Sequence, residues 1–263
     1  MHEFVYREMN DIEQAVAEAQ RDEDAVFLAG GMTLLPTLKQ RLAQPSQLLD
    51  LGPIKALAGI EQHENNIVVG AGTSHADVAR SELVRQFIPV LSTLALSIGD
   101  PQVRNRGTLG GSIANADPAA DYPAAVVALN ATICTHNREI SAENFFVDLF
   151  ETALEEGELV TAVRFPCPKR AAYASFRNPA SRYAIVGVCV VDTGDSVRIG
   201  VTGAAESVFR WRECELALAQ GTDVQAIGDL ALPATNINDD IHASADYRAH
   251  LVRVMTAKAI NAL

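Results

Sequence analysis

The sequence predicts a mixed helix-and-strand protein. Strands alternate with helices over the first two thirds, and antiparallel strands followed by helices fill the last third. Three observations carry this prediction. The apolar runs Ala25–Leu28 and 67–69 each lead through glycines into helical spacing. Paired glycines beside a hydroxyl residue occur twice, at Gly30-Gly31 and Gly110-Gly111. Beyond residue 170, two apolar runs flank Asp192-Thr193-Gly194-Asp195, the pattern of adjacent antiparallel strands around a turn.

Taken in order, residues 11–20 read as a helix, with Asp11 as N-cap and Ile12, Ala15, Val16 and Ala19 on one face. Ala25–Leu28 is a strand that runs into Ala29-Gly30-Gly31-Met32-Thr33, and residues 34–42 return to helical spacing. The glycines therefore occupy a strand-to-helix turn. Residues 47–51 form a short extended piece, and 67–73 a second strand with a glycine exit. Helices are predicted over 76–85 and over 89–98, where Pro89 takes the first turn. Residues 100–120 are rich in Gly, Asn and Asp with apolar residues between, which predicts an ordered loop. A helix over 122–129 and strands over 131–135 and 159–165 follow, and Pro166 and Pro168 mark a boundary. The last third reads as strands 184–191 and 197–201, a helix over 211–219, a polar loop, and a final helix from Ser244 to Ile260. Leu251, Val254, Met255 and Ala259 give that helix an apolar stripe, best used in packing onto the chain's own sheet.

Composition narrows the function classes. A hydrophobic content of 48% and a charged content of 21% are those of a globular chain, which excludes a disordered segment or a coiled coil. Lys plus Arg is 21 against 33 for Asp plus Glu, a net charge of −12 that disfavours phosphate-tracking nucleic-acid binding and anionic membranes. The run 184–191 is too short to span a bilayer, so no membrane insertion is expected. The N-terminal residues lack the basic start and apolar run of a signal peptide, and Cys134, Cys167, Cys189 and Cys214 are scattered. Both features point to a cytoplasmic protein with reduced thiols. With no C-x-x-C and no histidine pair at ligand spacing, the chain is expected to hold no metal and no iron–sulfur cluster of its own.

The two glycine bends carry the chemistry. Glycine accepts positive φ and lets another group approach the main chain. Successive N–H groups in such a bend can converge on an anion, and a following helix adds its dipole. The hydroxyls of Thr33, Thr108 and Ser112 add donors. Two bends could hold the two phosphates of a dinucleotide without Lys or Arg; the other reading is two tight turns in a core. Gly70-Ala71-Gly72 begins a dinucleotide fingerprint, but His75 occupies the place of its third glycine, so it reads as a structural turn. No Walker A sequence, no G-x-S-x-G elbow and no H-E-x-x-H is present. Each of the six histidines, His75 among them, reads as a surface or satisfied core residue.

Three ordered motifs resemble a known family. They are Ala29-Gly30-Gly31-Met32-Thr33-Leu34-Leu35, the stretch 102–112 ending in Gly107-Thr108-Leu109-Gly110-Gly111-Ser112, and Ala116-Asp117-Pro118-Ala119-Ala120-Asp121. Together they resemble the FAD-binding medium subunit of the molybdenum hydroxylases, the family of carbon monoxide dehydrogenase medium subunits and the xanthine dehydrogenase flavin domain. Tyr183-Ala184-Ile185-Val186-Gly187-Val188, Val201-Thr202-Gly203-Ala204-Ala205 and residues 247–259 extend the likeness to the far end.

The resemblance implies an α+β fold of the vanillyl-alcohol-oxidase (PCMH) type. Two small α/β subdomains, 1–55 and 56–170, would clamp an extended FAD, and a C-terminal α+β domain, 171–263, would carry an antiparallel sheet with helices. It implies that Ala29, Gly30, Gly31, Met32, Thr33 and Leu34 form one phosphate loop and that Thr108, Gly110, Gly111 and Ser112 form the other. Asn115 and Asp121 would meet the ribose, ribityl or phosphate portion, Leu159 would pack on the cofactor, and Tyr183 would stand near the flavin ring. Met32 replaces a polar residue of several relatives, and Ser112 replaces an asparagine of some.

By the same resemblance, the chain is an electron-transfer subunit of an oxidoreductase. The substrate would be oxidised at a molybdopterin site in a large subunit, and electrons would pass through two [2Fe–2S] clusters of a small subunit. FAD on this chain would hand them to an external acceptor, in a dimer of heterotrimers. No catalytic acid, base or nucleophile is expected on this chain. Two rivals stand beside this reading: a self-contained FAD-dependent reductase of the same broad fold, and a non-enzymatic assembly or anion-binding module.

Overall fold

The computed structural model describes residues 1–220, 224–232 and 237–263. Its first sheet is parallel. Val5–Glu8 (β1), Ala25–Leu28 (β2) and Gln47–Asp50 (β3) lie in the order β1-β3-β2. Parallel neighbours need crossover connections, and the helices supply them. Helix Ile12–Arg21 (α1) is capped by Asp11, whose carboxylate accepts from the Gln14 N–H at 2.7 Å, and it buries Ala15, Val16 and Ala19. Helix Leu34–Lys39 (α2) is shorter than the predicted 34–42, because Arg41 turns left-handed at φ 60°. Strand β1 was not predicted. It is an edge strand exposed along its whole length, so it carries no alternation of polarity to read.

The second sheet is antiparallel. Ile60–His63 (β4), Asn66–Gly70 (β5), Thr132–Thr135 (β6) and Glu139–Ser141 (β7) surround a later strand. The hairpin Phe146–Asp148 (β8) and Glu151–Thr152 (β9) forms a small sheet of its own, and Val160–Pro166 (β10) then inserts to give the order β4-β5-β10-β6-β7.

Between β5 and β6 the chain makes a long helical excursion: His75–Arg80 (α3), Glu82–Phe87 (α4), Pro89–Ser97 (α5), Pro101–Arg106 (α6), Leu109–Asn115 (α7) and Tyr122–Ala128 (α8). A short Ala142–Phe145 (α9) follows β7. Two expectations are corrected here. The single helix over 76–85 is two helices, because Ser81 leaves helical geometry at φ −59°, ψ 126° and its hydroxyl caps α4. The ordered loop over 100–120 contains α6 and α7. Asp100 caps α6, accepting from Val103 N–H at 2.9 Å, and Thr108 caps α7, accepting from Gly111 N–H at 3.1 Å. Side-chain caps and Pro101 start helices that glycine content alone argues against.

The third sheet, Arg170–Arg177 (β11), Ala184–Asp192 (β12), Val197–Thr202 (β13) and Phe209–Arg210 (β14), is antiparallel and ordered as in the chain. Helices Arg212–Ala219 (α10) and Ala245–Asn261 (α11) pack with it. The polar loop predicted between them lies partly outside the described residues. Residues 184–191 of β12 are apolar throughout because the strand is covered on both faces. Val186, Val188 and Val190 enter the core under α11, whereas Cys189 and Val191 enter the core of the second sheet. In α11 Leu251, Met255 and Ala259 are buried as predicted, joined by Val252 and Thr256, and Val254 is only half-buried. Helix α8 lies flush on β13: a Cβ at Gly200 would come within 2.2 Å of the Ala124 carbonyl oxygen. Among the described residues no helix is long and apolar enough to cross a membrane.

Candidate functional site

Where the three sheets' connecting segments meet, they leave a cleft of about 1280 Å³. That exceeds the ~300–1,000 Å³ of ordinary small-molecule sites and suits a long ligand. All of the residues singled out in the sequence line it: Ala29 to Leu34, Thr108, Gly110, Gly111, Ser112, Asn115, Asp121, Leu159 and Tyr183.

The first bend joins β2 to α2. Gly31 has φ +71°, a conformation that favours glycine. Gly30 is required for a different reason: a Cβ there would sit 2.1 Å from the Arg106 carbonyl oxygen and 2.8 Å from Gly107 Cα. The two bends therefore touch, although their glycine pairs lie about 80 residues apart in the chain. Among the described residues, no group accepts a hydrogen bond from the main-chain N–H of Gly30, Gly31, Met32, Thr33 or Leu34. Five consecutive unmatched amides in a left-handed bend make an anion-binding concavity. The Thr33 hydroxyl makes no capping bond either and is a further donor.

The second bend behaves differently, and the expectation of a second amide nest is corrected. Leu109 N–H donates to Thr73 O at 3.0 Å, Gly110 N–H to Ala71 O at 2.8 Å, Gly111 N–H to Thr108 Oγ1 at 3.1 Å, and Ser112 N–H to Thr108 O at 3.0 Å. These amides bind α7 to the exit of β5 and close its first turn. Gly110 is a packing glycine, since a Cβ there would meet Ala71 Cβ at 2.4 Å. Gly111 faces the cleft, and a Cβ there would lie 2.9 Å from Thr108 Oγ1 and 3.7 Å from Ala29 Cβ. What this bend can offer a ligand is side-chain chemistry. The Ser112 hydroxyl and the Asn115 amide have no hydrogen-bond partner among the described residues.

One part of the cleft wall is apolar, where Leu159 packs with Ile54 and Leu57. The Leu159 loop is clasped by Arg138, which makes bidentate bonds to Glu158 at 2.8 and 2.7 Å. Those bonds, with the Glu155 N–H, hold the Glu158 carboxyl down to about 2. The wall also includes Ile98, Gly99 and Asp100, the segment 180–183, and Asp117 and Asp121. Tyr183 is 46% exposed, so its ring is free to meet a ligand. Asp121 is buried and already engaged: it accepts from the Tyr173 hydroxyl at 2.5 Å and from Arg177 at 2.8 Å. Burial pushes its carboxyl up even against the Arg177 charge. Gly187 makes room for that arrangement, since a Cβ there would lie 2.2 Å from the Tyr173 hydroxyl oxygen. Asp121 thus anchors Arg177, which also donates to Ser97 Oγ at 2.8 Å and ties β11 to the 97–100 wall.

Sequence reasoning missed His75. It is 5% exposed, lines the cleft and packs against Gly107. The available signal was its place in the G-x-G-x-x-H stretch that leaves β5, where the imidazole fills the space a third glycine would leave. Among the described residues no cluster of His, Cys, Asp and Glu could hold a metal ion.

Comparisons with known proteins agree with this geometry. Residues 2–168 match the family model of the FAD binding domain in molybdopterin dehydrogenase, and residues 171–263 match the CO dehydrogenase flavoprotein C-terminal domain. The chain is 34% identical to the carbon monoxide dehydrogenase medium chain of Hydrogenophaga pseudoflava, covering 98% of this chain and 96% of the relative. It is 34% identical to the nicotine 6-hydroxylase medium subunit of Paenarthrobacter nicotinovorans, covering 97% and 95%. Among solved structures, quinoline 2-oxidoreductase from Pseudomonas putida 86 superposes with a TM-score of 0.92 at 29% identity, over 99% of this chain and 96% of that one.

Proposed function

The chain belongs to the family of FAD-binding subunits of the molybdopterin dehydrogenases, and on that premise we propose that it binds one FAD along the cleft and serves as the electron-transfer subunit of a molybdenum hydroxylase. The observation that carries this reading is the first bend. Five unmatched amides border a cleft of about 1280 Å³, roomy enough for a dinucleotide, and Gly30 is pressed so closely on Arg106 and Gly107 that no side chain fits. Main-chain donors can hold a diphosphate in a chain of net charge −12 without a cationic side chain.

Bound FAD supplies the capacity to accept electrons singly and release them in pairs. The chain's own residues bind and orient it. Gly30 to Leu34 hold the diphosphate, and Thr33, Ser112 and Asn115 add side-chain donors. Leu159, with Ile54 and Leu57, offers the cofactor an apolar wall, and Tyr183 offers it an aromatic face. The Arg138–Glu158 clasp and the Tyr173–Asp121–Arg177 group fix two parts of the cleft wall. Units 1–55 and 56–170 would each supply one bend, and 171–263 would supply Tyr183. In this reading electrons arrive from [2Fe–2S] clusters of a small subunit, the substrate is oxidised on a large molybdopterin subunit, and an external acceptor removes the electrons. The assembly would be a cytoplasmic dimer of heterotrimers. The relatives are a medium chain and a medium subunit, which supports the partners.

The test is reconstitution of the full chain with FAD. One equivalent of flavin, seen by absorbance and by change in flavin fluorescence, is the expected result. A chain that stays colourless overturns the proposal. Steady-state turnover by the chain alone would replace it with the self-contained reductase.

A further inference from the structure

Behind the second bend lie two buried rings whose polar atoms are unmatched. His75 opens α3 and Tyr122 opens α8; their ring centroids are 5.3 Å apart at a tilt of 49°. His75 Nδ1 and the Tyr122 hydroxyl are both sealed from solvent, and neither has a hydrogen-bond partner among the described residues. Unmatched buried polar atoms are rare and costly, so a pair of them side by side needs a physical account.

The protonation pattern supplies one. Burial, helped by the charge of Arg104, keeps the imidazole neutral, with its pKa pushed down to about 4. A neutral imidazole has one N–H and one bare nitrogen. A proton on Nδ1 would leave two buried donors, that N–H and the Tyr122 hydroxyl, with no acceptor for either. A proton on Nε2 instead leaves Nδ1 an acceptor, which one internal water can link to the Tyr122 hydroxyl. Nε2 is the nitrogen on the side of the second bend. A Cβ at Gly107 would lie 2.5 Å from it, and the His75 main-chain N–H donates to the Gly107 carbonyl at 2.9 Å. His75, Gly107 and Thr108 all line the cleft. The amides of Leu109 to Ser112 are already engaged, so a ligand oxygen resting there needs a donor from elsewhere.

We propose that His75 binds the cofactor directly, its neutral imidazole presenting Nε2–H to an oxygen of bound FAD beside Gly107 and Thr108 while Tyr122 fixes that tautomer from behind. This rests on the cleft being the FAD site. The experiment uses the full chain labelled with 15N-histidine, and long-range proton–nitrogen correlation spectra with and without FAD. The expected result is the Nε2–H tautomer in both states, with the His75 Nε2 signal moving when FAD is added. In parallel, His75→Phe keeps a ring in the same space and should weaken FAD binding about three- to tenfold. His75→Gln restores a donor at similar reach and should stay within about twofold of the parent. An Nδ1–H tautomer, or a His75 signal indifferent to FAD, overturns the proposal without recourse to the variants. A parent chain that binds FAD no better than His75→Phe also overturns it while leaving the functional reading intact. A parent chain that binds no FAD overturns the functional reading and this proposal with it.

Discussion

Gly30-Gly31 and Gly110-Gly111 both line the cleft, on bends that touch, and their main-chain amides have opposite fates. Those of the first bend point at nothing in the protein; those of the second hold α7 to the end of β5. Gly30 and Gly31 are needed for close approach of another segment and for a left-handed turn, whereas Gly110 is needed for helix-to-strand packing and Gly111 for room beside the Thr108 cap. The difference teaches that a glycine pair beside a hydroxyl marks a place where backbones come close. Whether that place binds an anion is decided by where the amide hydrogens go.

Gly30→Ala gives the largest expected effect. Its new Cβ meets Arg106 O, a main-chain atom that cannot swing away. The variant should lose reconstituted FAD altogether and lose ~1–3 kcal/mol of stability, read by flavin titration and by denaturant unfolding. Full flavin uptake by this variant would erase the distinction between the bends. Gly111→Asp comes next. It should weaken FAD roughly a hundredfold by placing a negative charge on the cleft wall near the diphosphate. Stability should also fall by ~1 kcal/mol, because the new Cβ lies 2.9 Å from Thr108 Oγ1 and displaces the α7 cap. Thr108→Val is smaller. It removes the α7 cap and should cost ~1 kcal/mol in unfolding. FAD affinity should stay within about threefold, since Thr108 Oγ1 serves the helix and not the cleft. A large loss of affinity with no loss of stability would make the second bend a ligand site in its own right.

The weakest effect is on pH. The five donors of the first bend do not titrate, so FAD affinity should be flat between about pH 6 and 9. Stability should respond only in acid. Glu158 is held at about 2, below its ordinary 4.5, so its contribution is complete above pH 4.5 and is lost as pH falls toward 2. Glu158→Gln should remove that part of the acid transition in circular-dichroism melts. An unchanged transition would show that the Arg138 clasp does not stabilise the Leu159 wall.

Much of this architecture was legible in the residues because local signals agreed with the fold. Asp11 and the spacing of Ile12, Ala15, Val16 and Ala19 gave α1, and the unbroken apolar run of 184–191 gave β12. The bends were legible as bends, and every residue placed on them lines the cleft. The fate of their amides was not, because it depends on the Ala71 and Thr73 carbonyls, acceptors that tertiary packing brings to the second bend. Helix α6 had a readable signal in Asp100-Pro101, outweighed by the glycine content around it. Strand β11 was missed because small residues such as Ala171, Ala172 and Ala174 leave little alternation. His75 had a signal in its place after Gly70-Ala71-Gly72, but its role comes from Gly107 and Tyr122, which reach it through folding.

Strand β12 bears on how such a protein can be taken apart. Two sequence modules abut near residue 170, and that seam invites a cut. Yet alternate residues of β12 belong to different cores, and Tyr173 and Arg177 reach back to Asp121. A fragment ending at the seam would strand a buried carboxylate and bare one wall of the cleft. Gene fusions and fissions that separate these halves should therefore be tolerated only if both pieces are made together and re-dock.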